Sequence, residues 1–141
     1  MKISARNILK GTVANVAEGA VNGVVTIDLG GEQVKADITM AAIADLALAE
    51  GKPAFAVIKA SNVMIACGTE RIACLSARNQ LAGTVKAVEK GAVNGIVTLE
   101  LADGNVIKGS ITNAAIDELG LAEGVKALAV VKSTDVMVGV E

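Results

Sequence analysis

The chain has no His, no Trp and no Tyr, a single Phe (Phe55), a single Pro (Pro53) and two Cys among its 141 residues. Without His there is no side chain whose ordinary pKa sits near neutrality, so the usual general base of hydrolases and transferases is missing. Without aromatics there are no platforms on which single-stranded nucleic acid could stack. The net charge of −2, with acids and bases interspersed, leaves no clustered basic face for a phosphate backbone. Cys67 and Cys74 are two thiols without a His, which is not a zinc set. The simplest reading is two free thiols in a reducing compartment. No apolar run approaches the ~20 residues of a membrane span. Lys2 and Arg6 enclose no apolar stretch of signal-peptide type. The expectation is a soluble cytoplasmic protein. No GxxxxGK[ST] or GxGxxG occurs, so a nucleotide-phosphate loop is unsupported.

What is present is a duplication. Ser4-Ala5-Arg6-Asn7 recurs as Ser76-Ala77-Arg78-Asn79, and Ala20-Val21-Asn22-Gly23 recurs as Ala92-Val93-Asn94-Gly95. One inserted residue near Asp103 then shifts the alignment by one. Ile38-Thr39 matches Ile111-Thr112, Lys59-Ala60-Ser61 matches Lys132-Ser133-Thr134, and Val63-Met64 matches Val136-Met137. The repeat overrides the single-domain default for this length and gives two units, residues 1–72 and 73–141. Units of this size bury modest cores, so packing of the two units, oligomerisation or both must supply the remaining stability. Much of the apolar content is Ala and Val, which suits tight barrels and flat interfaces.

Each copy reads β-β-β-α-β-β. The first strand is expected over about Ile3 to Ala17, with Gly11 (Gly83 in the second copy) marking a bulge or bend. Val21-Asn22-Gly23 is a turn signal. Thr39 and Thr112 look like helix N-caps, ahead of Met40–Leu46 and Asn113–Leu119, and Gly120 is a stop. Two short strands follow, about Ala54–Lys59 and Val63–Cys67, joined by a turn at Ala60-Ser61-Asn62. Five short strands with one helix after the third form an all-β architecture of the OB type: tandem, partly open Greek-key barrels. A long bent first strand would pair on both sides of such a barrel. The link between the units lacks linker composition, so close packing is expected.

Both copies keep hydrogen-bond donors rather than acids. Ser4 and Arg6 alternate with Ala5 and Asn7, so the first pair shares one face. Lys59 and Ser61 sit at the turn between the last strands, matched by Lys132 and Thr134. Asn22 and Asn94 offer turn amides. Hydroxyls, amides, a guanidinium and an ammonium suit a small anion. Each has a plainer reading: Arg6 and Arg78 in surface ion pairs, Asn22 and Asn94 as turn formers, Lys59 and Lys132 as edge-strand protection. Ser4 and Ser76 have no evident folding rationale. Val63, Met64, Val136 and Met137 read as core.

With those blocks laid out, the sequence resembles the molbindin or Mop-domain family, small TOBE-like domains that bind molybdate or tungstate. The matching blocks are Ser-Ala-Arg-Asn, Lys10-Gly11-Thr12-Val13 with Ala82-Gly83-Thr84-Val85, Val-Asn-Gly, the Ile-Thr before each helix, Leu-x-Leu-x-x-Gly after it, and Val57 through Met64. They occur in order, twice, as in the two-domain cytoplasmic storage forms. The resemblance implies a non-enzymatic oxyanion-binding protein of molybdenum homeostasis, six such units in a homotrimer, and oxyanions at interfaces between units. It implies one wall from Ser4, Ala5, Arg6, Asn7 and Ser76, Ala77, Arg78, Asn79. A second comes from Lys59, Ala60, Ser61 and Lys132, Ser133, Thr134, contributed by a neighbouring unit. A third candidate set is Val21, Asn22, Gly23 and Val93, Asn94, Gly95. No covalent cofactor, nucleic acid or membrane is implied. The physics is compatible: molybdate is an unprotonated dianion at neutral pH, which a donor-only site satisfies. Hydrogenphosphate carries a proton that such a site leaves unpaired, at about 1–3 kcal/mol. The competing readings are a nucleic-acid-binding OB module and a ligand-free oligomerisation module.

Overall fold

A computed structural model describes residues 1–141 and contains ten strands, two short helices and two 3-10 turns. The expected all-β tandem barrels are what it shows. In the first repeat β1 is Asn7–Ala17, β2 Asn22–Asp28, β3 Gln33–Thr39, α1 Met40–Asp45, β4 Pro53–Ile58 and β5 Met64–Cys67. In the second, β6 is Asn79–Lys90, β7 Asn94–Leu101, β8 Val106–Thr112, α2 Asn113–Glu118, β9 Lys126–Val131 and β10 Val136–Gly139. No helix is long and apolar enough to cross a membrane.

The first strand starts at Asn7, not Ile3. Its partner β4 runs antiparallel and ends at Ile58, opposite Asn7, where the chain winds into the 3-10 turn Ala60–Asn62. Residues before Asn7 therefore have no β4 backbone to pair with. β1 does pair on both sides, with β4 over Asn7–Thr12 and with β2 over Thr12–Ala17. The bulge lies at Ala14, and at Lys86 in the second copy, rather than at Gly11 and Gly83. Those glycines answer to close approach instead: a Cβ on Gly83 would stand 2.7 Å from the Glu100 carbonyl oxygen, and one on Gly11 would strike that of Asp28.

Each helix is capped as the sequence indicates. Thr39 Oγ1 accepts from the Ala42 N–H and Thr112 Oγ1 from the Ala115 N–H, both at 3.1 Å. The helices bury Ile43 and Ile116. The tips of these side chains come so close to β2 and β7 that a Cβ on Gly23 or Gly95 would lie 2.7 Å from a Cδ1.

The two sheets do not follow the repeats. Their orders are β10-β4-β1-β2-β3 and β5-β9-β6-β7-β8, so each takes its fifth strand from the other copy. Val136 faces Ile58, while Met64 faces Val130. The exchange fuses the halves: one cluster of 25 buried residues runs from Leu9 through Leu81 to Val136 without interruption. Ala54, Ala56, Ala127 and Ala129 line its middle, where small side chains let the sheets close tightly. Beyond β5 the chain is strapped over β9, with Ile72 N–H donating to Gln80 Oε1 at 2.7 Å and Ala77 packing on Leu128 and Val130.

Candidate functional site

Neighbouring residues of the Ser-Ala-Arg-Asn motif take different roles, and the Asn is the buried one in both copies. Asn7 is 2% exposed and so is Asn79. Asn7 Nδ2 donates to the Lys108 carbonyl at 2.8 Å and its Oδ1 accepts the Lys108 N–H at 2.7 Å. Asn79 does the same with Lys35, at 2.8 and 2.7 Å. Each amide thus mimics a strand residue and joins the start of one repeat to the third strand of the other. Two of the sequence candidates are in this way occupied in holding the halves together.

Ser4 and Arg6, on the other face, are exposed. Arg6 Nε donates to the Ser4 carbonyl at 3.2 Å, which curls the segment ahead of β1. Because Asn7 pairs with Ile58, Arg6 is carried next to Lys59. The outcome is a cleft of about 480 Å³ lined by Ser4, Ala5, Arg6, Lys59, Ala60 and Ser61. Within this chain both walls of the cleft come from the same repeat, because β1 and β4 are adjacent strands. The second repeat supplies Ile96, Ser110 and Met137. Two cations and no acid line this cleft, beside three hydroxyls. The hydroxyls can donate to an anion's oxygens, and the two cations donate and place positive charge beside it.

The matching cleft of the second repeat, about 360 Å³, contains Arg78 and Ser133, with Lys35, Asp37, Val24 and Thr26 from the first. Ser76, Ala77, Lys132 and Thr134 do not line it. Nor do Val21, Asn22, Gly23, Val93, Asn94 and Gly95 line either cleft. Gly23 and Gly95 serve helix packing, as above. Val21 and Val93 are turn tips, 74% and 72% exposed, whose carbonyls accept the Met40 and Asn113 N–H groups. Met64 and Met137 are exposed, not core, while Val63 and Val136 are buried as expected. Both Cys are free and exposed. No group of acids and thiols could hold a metal ion. Glu32 is pushed above the ordinary carboxylate range, first by burial and second by Asp103. It lies where the β2–β3 hairpin meets Asp103, whose Oδ2 accepts the Glu32 N–H at 3.2 Å, outside both clefts.

Ser110 and Asp37 are invisible to sequence reasoning that keeps only residues common to both copies; Lys35, matched by Lys108, passes that filter but stands in mid-strand, outside every motif block. Ser110 aligns with Asp37, so that filter discards the pair. The signal that could have found them is strand register: each sits on the third strand opposite the other copy's motif.

Comparison with known proteins agrees with this architecture. The TOBE domain model matches residues 3–65 and again 75–138. A crystal structure of the cytoplasmic molybdate-binding protein ModG, with molybdate bound, superposes with a TM-score of 0.94 at 48% identity over the whole of both chains. The molybdenum transport protein ModE of Herbaspirillum seropedicae is 43% identical over 142 residues, which is 100% of this chain and 52% of that protein. The molybdenum-pterin-binding protein MopA of Rhodobacter capsulatus is 41% identical over 138 residues, 97% of this chain and 52% of that one. The chain thus spans about half the length of these two curated relatives.

Proposed function

The chain belongs to the TOBE-domain family, with two copies in tandem, and from that premise we propose that it binds molybdate in the cleft of Arg6 and Lys59. The observation that carries the reading is the lining of that cleft: Ser4, Arg6, Lys59, Ser61 and Ser110 offer donors and positive charge, and no carboxylate is among them. A tetrahedral dianion without a proton has only acceptors, so every interaction there is favourable. Tungstate has the same charge and shape and fits the same chemistry. Binding is reversible and the role is storage or buffering in the cytoplasm, not catalysis.

The exposed apolar side chains Ile3, Ile8, Val21, Val93 and Met137 support self-association, and a homotrimer would bring six units together. A cleft that opens on such a surface becomes drier when a neighbouring subunit covers it, and its charged hydrogen bonds strengthen accordingly.

Calorimetric titration of the full chain with molybdate, against sulfate as a control, tests the assignment. Arg6→Ala and Lys59→Ala should each weaken binding by roughly ten- to a hundredfold, the worth of one charge-assisted hydrogen bond. The melting temperature without ligand should hold, because both side chains are exposed. Absence of molybdate binding, or an Arg6→Ala protein that binds as tightly as its parent, would overturn the reading.

A further inference from the structure

The β2–β3 and β7–β8 hairpins meet at their tips, and their turns differ by one residue. The first copy turns on Gly30-Gly31 and the second on Ala102-Asp103-Gly104. The longer turn sends Asp103 across to the other hairpin. Its Oδ2 accepts the Glu32 N–H at 3.2 Å and its Oδ1 accepts the Asn105 N–H at 2.9 Å. Asn105 Nδ2 in turn donates to the Leu29 carbonyl at 3.3 Å. Gly31 makes room for this contact. Its φ is not left-handed, unlike that of Gly30 at +107°, yet a Cβ there would lie 2.8 Å from the Asp103 Cβ. Further along, the same hairpins are fastened by Asn79 on Lys35 and Asn7 on Lys108, through side-chain amides that carry no charge. Only the fastening at the tips involves titratable groups.

Asp103 accepts with both oxygens, which suits the ionised form. Glu32 is half-buried beside it. The other acid at the junction is Asp28 of the same hairpin as Glu32, whose Oδ1 accepts the Gly30 N–H at 2.8 Å. None of the three forms an ion pair with a Lys or Arg. We propose that this junction is a proton-operated latch between the two repeats. With Glu32 and Asp103 both ionised, the tips are held against their mutual repulsion. A proton taken up by Glu32 ends that repulsion, and its O–H can donate to the Asp103 carboxylate. The state of the Glu32 carboxyl agrees with this: burial first, and Asp103 second, hold it above its ordinary value of 4.5. A carboxyl raised in this way binds its proton more tightly in the folded chain than in the unfolded one. Its contribution to stability therefore grows as the pH falls from above the raised value through the ordinary one, and is lost again as the pH rises. The latch tightens on mild acidification, and it does so whatever the clefts bind.

The test is an NMR pH titration of the Glu32 carboxyl carbon in the full chain, in the parent and in Asp103→Asn, beside thermal melts of Glu32→Gln. In the parent the carboxyl should titrate above the ordinary range. The Glu32 and Asn105 amide shifts should follow with the same midpoint, because both N–H groups bond to Asp103. Asp103→Asn removes the charge and keeps an acceptor oxygen, so the midpoint should fall part of the way and stop where burial alone holds it. Glu32→Gln imitates the protonated carboxyl. It should melt about 1–3 °C above the parent at neutral pH, and the difference should vanish once the pH is below the ordinary carboxylate range. A Glu32 carboxyl that titrates in the ordinary range, amides indifferent to its titration, a midpoint unmoved in Asp103→Asn, or a Glu32→Gln protein that melts no higher than its parent at neutral pH each overturns the proposal.

Discussion

Arg6 and Asn7 are neighbours, both kept in the second copy, and the fold uses them for unrelated ends. Alternation along the chain sends Arg6 out and Asn7 in, and that much is legible from the sequence. What Asn7 meets inside is not, because its partner Lys108 lies 101 residues away and offers only backbone. A side chain that binds backbone leaves no complementary residue in the sequence to betray it. Asn7→Ala should lower unfolding free energy by about 2–4 kcal/mol, from two lost hydrogen bonds and a buried N–H and C=O at Lys108 left without partners. Asn79→Ala should behave alike at Lys35, and the two effects should be close to additive because they share no partner. Chemical denaturation measures both. A loss under ~0.5 kcal/mol for either would mean that water replaces the amide and that the clamp contributes little.

At the scale of elements, what is set locally could be read from local sequence, and what is set by a partner could not. The Thr caps, the helices they open, and the strands β2 and β3 follow from patterns a few residues long. The start of β1 follows from where β4 ends, and the bulge at Ala14 from where β1 pairs with β2, neither of which is written in β1. The helix ends show a further difference between the copies. Gly120 closes α2 with φ of +62°, and Ala47 closes α1 with φ of +49°. Ala47 is the one non-glycine residue with positive φ, and the left-handed region costs an L-residue with a Cβ roughly 1–2 kcal/mol. Ala47→Gly removes that strain and gives back part of it in chain entropy, so a net gain of about 0.5–1 kcal/mol is expected. Thermal melts of the variant should shift upward by a few degrees; a downward shift would show that the Ala47 methyl holds a packing contact worth more than the strain.

The arrangement of the whole molecule is where the sequence is silent, and the reason is the repeat itself. Met64 on Val130 and Met137 on Val57 are the same pairing in the two copies. A fifth strand therefore fits its own barrel and its neighbour's with equal register, and no residue pattern distinguishes the two. The exchange is decided by the path of the chain through the 3-10 turns Ala60–Asn62 and Ser133–Asp135. It has a mechanical consequence. If each barrel owned its fifth strand, cutting the connection would leave two units held by surface contact alone. With β5 in the sheet of β9 and β10 in that of β4, each fragment is laced into the other and shares a single core. A protease site inserted after Thr69, in the exposed run Cys67–Glu70, should therefore be cleaved without separating the halves. The nicked protein should elute from a sizing column with the intact one and come apart only in denaturant, since strand pairing and core burial both have to be undone together. Once apart, each half lacks the fifth strand of its sheet and carries an unpaired one, so refolding of either fragment alone should yield exchanged dimers or aggregate rather than a monomer. Fragments that separate in native buffer would mean that the exchanged strands do little to hold the halves together, and fragments that fold singly as monomeric barrels would mean that the 3-10 turn lets a fifth strand close on its own barrel once its partner is gone.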